Sequence, residues 1–389
     1  MLTEHFHNTQ KDTGHYSNDL RYVLSLQNTI AAFEEIKTWK GYAKTPLHSL
    51  DSMASDIGVK NIYYKDESSR FGLGSFKALG GTYGVLKFIH HALKKEIGDE
   101  VSMKDIHAGK YSEQISKYTV TTATDGNHGR SVAFGAKLFG CKCQIYIHSE
   151  VSSGRQKAME DLEATVNRVS GNYDESLQIC IEDAGKNNWY VISDTSYEGY
   201  TKYPRYIMAG YNVMAEEIID QIKDRPLPTH VFLQGGVGSF PGAICGYFWE
   251  KFPGNNIKFV VVESEYAPCL IRSAQNNQMT SVNIKQETMM AGLSCGEPSL
   301  LGWEILKSGA DDFITINDSS IPGLMRLLAE NNLKIEAGES SVAGLAGLIE
   351  SMEDQNIAKA MGLNKESIVL LFGTEGATDP DIYRSIISE

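Results

Sequence analysis

Short apolar runs rich in β-forming residues alternate with helical patterns along most of this chain, and glycines follow the runs. Strands are predicted over Tyr118–Thr122, Cys143–Ile147, Trp189–Ser193, His230–Leu233, Lys258–Glu263, Phe313–Ile316 and Ser367–Phe372. Between them apolar residues recur three or four apart, as in Val85, Phe88, Ile89 and Leu93, or Val213, Ile218, Ile219 and Ile222. That is the spacing of one helix face. Such alternation needs crossover connections, so the expected fold is α/β, with mostly parallel sheets flanked by helices on both faces. At 389 residues the chain is long enough for two domains with substantial cores. In open α/β sheets ligands bind outside the carboxyl ends of the strands. The loops holding Gly126 and Gly129, Gly235, Gly236 and Gly238, and Gly373 and Gly376 each follow a strand. They are three candidate walls of one site.

Composition narrows the partners. The net charge is −13, from 36 basic and 49 acidic residues, which argues against a nucleic-acid or anionic-membrane surface. No apolar run approaches the ~20 residues of a membrane span, and the polar N-terminus, MLTEHFHNTQKDTGHYSND, lacks the apolar core of a signal peptide. A cytoplasmic enzyme is expected. Six cysteines are too few for a disulfide framework. Cys141 and Cys143 alternate along an apparent strand and read as side chains on one sheet face, so no metal site is expected. Cys269 and Cys295 are left open as a pair that the fold can bring together or keep apart.

Four segments carry chemistry. In GLGSFKALGG, Gly72–Gly81, Lys77 opens a helical pattern. The positive end of the helix dipole and burial both disfavour an ammonium there, which favours the neutral amine that condenses with an aldehyde. A solvated surface lysine is the competing reading. In QGGVGS, Gln234–Ser239, consecutive glycines precede a helix beginning near Pro241, so backbone N–H groups converge on an anion. The segment lacks the ending of a nucleotide P-loop and a full dinucleotide fingerprint, which leaves a phosphate-only cup or an empty tight turn. In TTATDGNHG, Thr121–Gly129, Asn127 is able to donate to a phenolate oxygen; Asp125 is a turn-former or a general base, and His128 has no assigned role. In FGTEGATDP, Phe372–Pro380, Thr374 and Glu375 are polar groups at a strand end. Together an amine, a phosphate cup, an amide donor and a polar cap are the parts needed to hold a phosphorylated pyridine aldehyde.

The order SFKALGG, TDGNHG, QGGVGS and GTEGATD resembles the tryptophan synthase β-like (fold type II) enzymes that use pyridoxal 5′-phosphate (PLP). The resemblance runs from Thr45-Pro46-Leu47 to Asp379. It implies Lys77 as the Schiff-base lysine, Asn127 at the cofactor's 3′-oxygen, and Gly235, Gly236, Val237, Gly238 and Ser239 at its phosphate. The residue before Gly126 departs from the serine usual in dehydratases of the group and is Asp125. Within the group the chain is most similar to the diaminopropionate ammonia-lyase family, through KDESSRFGLGSFKALGG, TATDGNHGR, SDTSYEGY, MAGLSCGEPS and GTEGATDP. This implies catalytic roles for Asp125 and for Asp194 of the SDTSYEGY segment, which a bland reading makes a helix cap. The position at which the group often carries a serine for the pyridine nitrogen aligns with Gly373, so Thr374 is the named candidate.

The resemblance therefore implies PLP-dependent α,β-elimination of 2,3-diaminopropionate, D and L, to pyruvate and two ammonia. It also implies a homodimer, a large domain of residues 1–87 and 207–389, and a small domain of 88–206. No appended regulatory domain is expected after Asp379. A serine/threonine dehydratase of the same fold is the alternative, followed by a β-replacement synthase. A catalytically silent PLP-binding sensor belongs to another class, and a nicotinamide dehydrogenase lacks its fingerprint.

Overall fold

The structure, a computed structural model, describes residues 2–12, 14–124, 126–171 and 173–388. Asp125, singled out above, lies outside the described residues. Among these residues the strands are β1 (Leu2–His7), β2 (Leu47–Ser49), β3 (Asn61–Asp66), β4 (Thr119–Ala123), β5 (Lys142–Ile147), β6 (Thr165–Arg168), β7 (Tyr190–Val191), β8 (His230–Gln234), β9 (Lys258–Ser264), β10 (Asp312–Ile316) and β11 (Ile368–Gly373). The chain divides into two compact units: Met1–Phe76 with Thr195–Gly199 and Tyr211–Glu389, and Lys77–Asp194 with Tyr200–Gly210. The first boundary falls at Phe76 and Lys77, ahead of the expected 88. Helix Lys77–Ile97 packs along helix Asn127–Phe139 and so belongs wholly to the second unit.

The first unit holds a seven-stranded sheet in the order β1-β10-β9-β8-β11-β3-β2. Its five central strands are parallel, and β1 and β2 close the edges antiparallel. Both faces of the central strands are buried, which is why β8, β9 and β11 read as continuous apolar runs. On one face Ile62, Tyr64, Phe232, Val260, Val262, Ile314 and Leu371 pack with Val342, Leu345 and Leu348. Edge strand β1 escapes the apolar pattern. Its His5 Nε2 and His7 Nδ1 bond the Asp312 carboxylate at 2.8 and 2.9 Å.

The second unit holds a four-stranded parallel sheet, β6-β5-β4-β7. Helices Lys77–Ile97 and Asn127–Phe139 approach closely because each offers a glycine to the other. A Cβ at Gly81 would stand 1.8 Å from Ser131 Oγ, and one at Gly135 would meet the Thr82 backbone at 3.0 Å. Thr82 Oγ1 donates to the Ser131 carbonyl at 2.9 Å across the same contact. Cys141 lies one residue ahead of β5, while Cys143 within it is buried. Among the described residues no helix is long and apolar enough to cross a membrane, and no group of His, Cys, Asp and Glu is arranged to hold a metal.

Candidate active site

In the second unit the parallel pairing of β4 with β7 puts two loops at one carboxyl end. The loop after β4 leads to Asn127, and the loop after β7 leads to Asp194. Thr124 tightens the first by accepting the N–H groups of Gly126 and Gly129 at 3.0 and 3.1 Å. His128 ties the two together: its Nε2 donates to the Ile192 carbonyl at 2.8 Å. A carbonyl only accepts, so Nε2 carries the proton and Nδ1 presents a lone pair. Nδ1 is buried without a hydrogen-bond partner among the described residues and lies 3.8 Å from Asp194 Oδ2. Burial pushes this imidazole below its ordinary value, although the Asp194 carboxylate opposes it. His128, to which the sequence assigned no role, thus stands beside the carboxylate that pairs with Lys77.

Lys77 is the first residue of its helix, half-buried, and its Nζ donates to Asp194 Oδ2. The unit therefore gathers Lys77, His128 and Asp194, while Asn127 opens the neighbouring helix. An ammonium at a helix start opposes the macrodipole, and Asp194 compensates that field while Lys77 is charged.

In the first unit the KDESSR segment forms the foundation of the chain leading to Lys77. Lys65, Glu67 and Arg70 are fully buried together with Glu217. Arg70 donates to Glu67 Oε2 at 2.7 Å and Oε1 at 2.8 Å, and to Glu217 at 2.9 and 2.8 Å; Lys65 Nζ meets Glu217 Oε2 at 2.7 Å. Burial pushes the Glu217 carboxyl up, but Arg70 and Lys65 outweigh it and hold the group down to about 2. These charges are structural and fully used. Beyond them, Phe76 N donates to the Thr374 carbonyl at 3.0 Å and Gly376 N to the Gly74 carbonyl at 2.9 Å. The residue before Lys77 is thereby stitched to the loop after β11.

The glycine cup follows β8, the neighbour of β11. Gly238 has φ +99° and precedes helix Ser239–Lys251. The backbone N–H groups of Gly236, Val237 and Gly238 make no hydrogen bond among the described residues, and Gly236 and Gly238 are buried. Unsatisfied buried donors at a helix start cost free energy unless an anion arrives. Helix Leu300–Gly309 supports the cup from behind. A Cβ at Gly302 would stand 2.5 Å from the Gly238 carbonyl oxygen. Ser299 N donates to the Val237 carbonyl at 2.6 Å, and Ser239 Oγ to Ser299 Oγ at 3.0 Å. Cys269 and Cys295 both stand at the cup and are not joined in a disulfide. Cys269 Sγ lies 3.6 Å from the Gly236 carbonyl, and a Cβ on Gly236 would be 3.4 Å from Cys295 Sγ. Beneath Gly235, Glu263 accepts the N–H groups of Leu270 and Ile271, each at 2.7 Å. The cradle thus fits a phosphate.

The family model of the pyridoxal-phosphate dependent enzymes matches residues 38–372. The diaminopropionate ammonia-lyase of Escherichia coli (strain K12) is 38% identical over 357 residues, covering 90% of this chain and 88% of that protein. The chain belongs to the diaminopropionate ammonia-lyase family. The family member from Salmonella typhimurium (strain LT2) is 37% identical over 379 residues, with 94% of each protein covered. A crystal structure of the E. coli diaminopropionate ammonia-lyase, in complex with an aminoacrylate–PLP azomethine reaction intermediate, superposes with a TM-score of 0.88 at 34% identity, covering 100% of this chain and 97% of that one. The diaminopropionate ammonia-lyase family assignment makes the chain a PLP-dependent lyase of fold type II, with the parallel, helix-flanked sheets expected from its sequence.

Proposed function

We propose that this lyase takes 2,3-diaminopropionate, in D and L forms, and with one water yields pyruvate and two ammonia. The observation that supports it is the pairing of Lys77 with Asp194 at the head of a helix. An ammonium group on the β-carbon of the substrate needs an acidic partner, and a hydroxyl group does not. With the Lys77 amine committed to the cofactor's aldehyde, Asp194 would be free to receive the substrate's second ammonium.

The residues divide the work as follows. Gly235, Gly236, Val237, Gly238 and Ser239 bind the cofactor's phosphate, Asn127 its 3′-oxygen, and Thr374 lies at the strand end toward its ring. Bound there, PLP supplies the aldehyde that holds the substrate amine and the ring that makes the Cα proton acidic. Lys77, once displaced by the substrate, accepts the Cα proton of the L-isomer. Asp125 accepts that of the D-isomer from the other face. Asp194 orients the departing β-amine, with the His128 lone pair beside it. Placement in the cytoplasm and, by the resemblance, assembly as a homodimer complete the reading.

The test is incubation of the purified enzyme with each diaminopropionate enantiomer, with pyruvate and ammonia measured. Two ammonia per pyruvate from both isomers is the expected result. Faster turnover of serine or threonine than of diaminopropionate would instead establish the dehydratase alternative.

A further inference from the structure

At the carboxyl end of β3 the first unit buries a phenol that nothing in the described chain satisfies. Tyr64 is 0% exposed, and its hydroxyl has no hydrogen-bond partner among the described residues. Its ring covers Gly373, the last residue of β11. A Cβ built on Gly373 would lie 2.4 Å from the Tyr64 hydroxyl oxygen and 2.6 Å from Cζ. In the parallel register Tyr64 pairs with Leu371 and Asp66 with Gly373, so the phenol reaches two residue pairs further toward the carboxyl end. The hydroxyl therefore occupies the place that a side chain at 373 would fill.

An unsatisfied buried hydroxyl carries a desolvation cost, and phenylalanine would fill nearly the same volume without it. Packing alone thus gives no reason for a tyrosine. The strand end supplies one. The segment that precedes Lys77 is bonded to this same loop through Phe76 and Thr374, and the phosphate cup follows the adjacent strand β8. We propose that the Tyr64 hydroxyl is the hydrogen-bond partner of the cofactor's pyridine nitrogen, the place left without a side chain by Gly373. This rests on the reading that Lys77 carries PLP. Burial, with Asp66, Tyr383 and Glu375 adding to it, pushes the phenol well above its ordinary value. Tyr64 therefore stays protonated and donates to a ring nitrogen that keeps its lone pair. Thr374, adjacent to Gly373, gives its carbonyl to Phe76 N.

The experiment compares the holoenzyme with Tyr64→Phe and with Tyr64→Val/Gly373→Ser. The double variant removes the ring that blocks position 373 and returns a hydroxyl from β11. Three readouts are taken: the visible absorption band of bound PLP, the rate at which PLP is lost on dilution, and borohydride labelling of Lys77. Tyr64→Phe is expected to displace the band and to speed cofactor loss on the order of tenfold, the worth of one hydrogen bond. The double variant is expected to recover both. An unchanged band and unchanged retention in Tyr64→Phe, with Lys77 still labelled, overturns the inference and leaves the proposed function standing. Absence of label at Lys77 in the unsubstituted enzyme removes the reading beneath it, and the inference with it.

Discussion

His128 Nδ1 faces Asp194 Oδ2 at 3.8 Å while its Nε2–H is spent on the Ile192 carbonyl. The imidazole is thus fixed as a neutral acceptor beside the carboxylate that pairs with Lys77. His128→Gln keeps a donor able to reach the Ile192 carbonyl and replaces the basic ring nitrogen with a non-basic amide. We expect kcat/KM for diaminopropionate to fall on the order of a hundredfold, within the range of a positioned proton acceptor, with the circular dichroism spectrum unchanged.

The same burial has a pH signature. The His128 value lies below its unfolded value of 6.5 in the folded chain. Above pH 6.5 both states are neutral there and stability is complete. As pH falls below 6.5 the unfolded chain takes up a proton that the folded chain resists, so stability drops toward the folded value. Melting temperatures between pH 7.5 and 5 are expected to decline less steeply in His128→Gln than in the unsubstituted enzyme. His91, held down to about 4 by burial and by nearby lysines, contributes a decline that both proteins share.

The two carboxylates are separable by substrate. Asp125→Asn is expected to depress turnover of D-diaminopropionate at least tenfold more than that of the L-isomer, measured as kcat/KM for each; equal losses contradict the two-base division. Asp194→Asn is expected to raise KM for diaminopropionate by about tenfold while leaving KM for serine within about twofold, because only the first substrate carries the second ammonium.

Much of this arrangement was legible in the residues. The strands of β8, β9 and β11 are buried on both faces, so their apolar runs stand out, and the glycine cup after β8 needs its backbone geometry whatever surrounds it. The helix expected near Pro241 begins at Ser239, two residues sooner, because Gly238 already provides the positive φ that ends the loop. Other elements were hidden for physical reasons. β1 is an edge strand whose histidines bond Asp312 Oδ1, so its sequence reads as polar chain. β6 is short and partly exposed. β3 was masked because its last residues, Lys65 and Asp66, are charged. Lys65 belongs to an ion network completed by Glu217, distant in sequence, and no local spacing announces such a pairing. His128 was illegible for the same reason: its partners, Ile192 and Asp194, come from the far side of a parallel crossover.

That buried network makes its own prediction. Glu217→Gln leaves Arg70 and Lys65 short of a countercharge in the core and is expected to lower stability by about 3–5 kcal/mol, read from urea unfolding at pH 7. The Glu217 carboxyl is held near 2 in the fold against an ordinary 4.5. Its contribution is present above pH 4.5 and is lost as pH falls from there toward 2, so the variant is expected to show a shallower acid limb.

The cup is tested by its packing. Gly302→Ala places a methyl 2.5 Å from the Gly238 carbonyl oxygen, and a backbone contact of that kind does not yield without moving the helix. A loss of about 1–3 kcal/mol in stability is expected, together with PLP content well below one per chain after purification.

The most direct measurement is borohydride reduction of the PLP-loaded enzyme followed by peptide mapping. The account predicts a stable pyridoxyl label on the peptide containing Lys77, absent from Lys77→Ala. Label on a different lysine, or none anywhere, contradicts it.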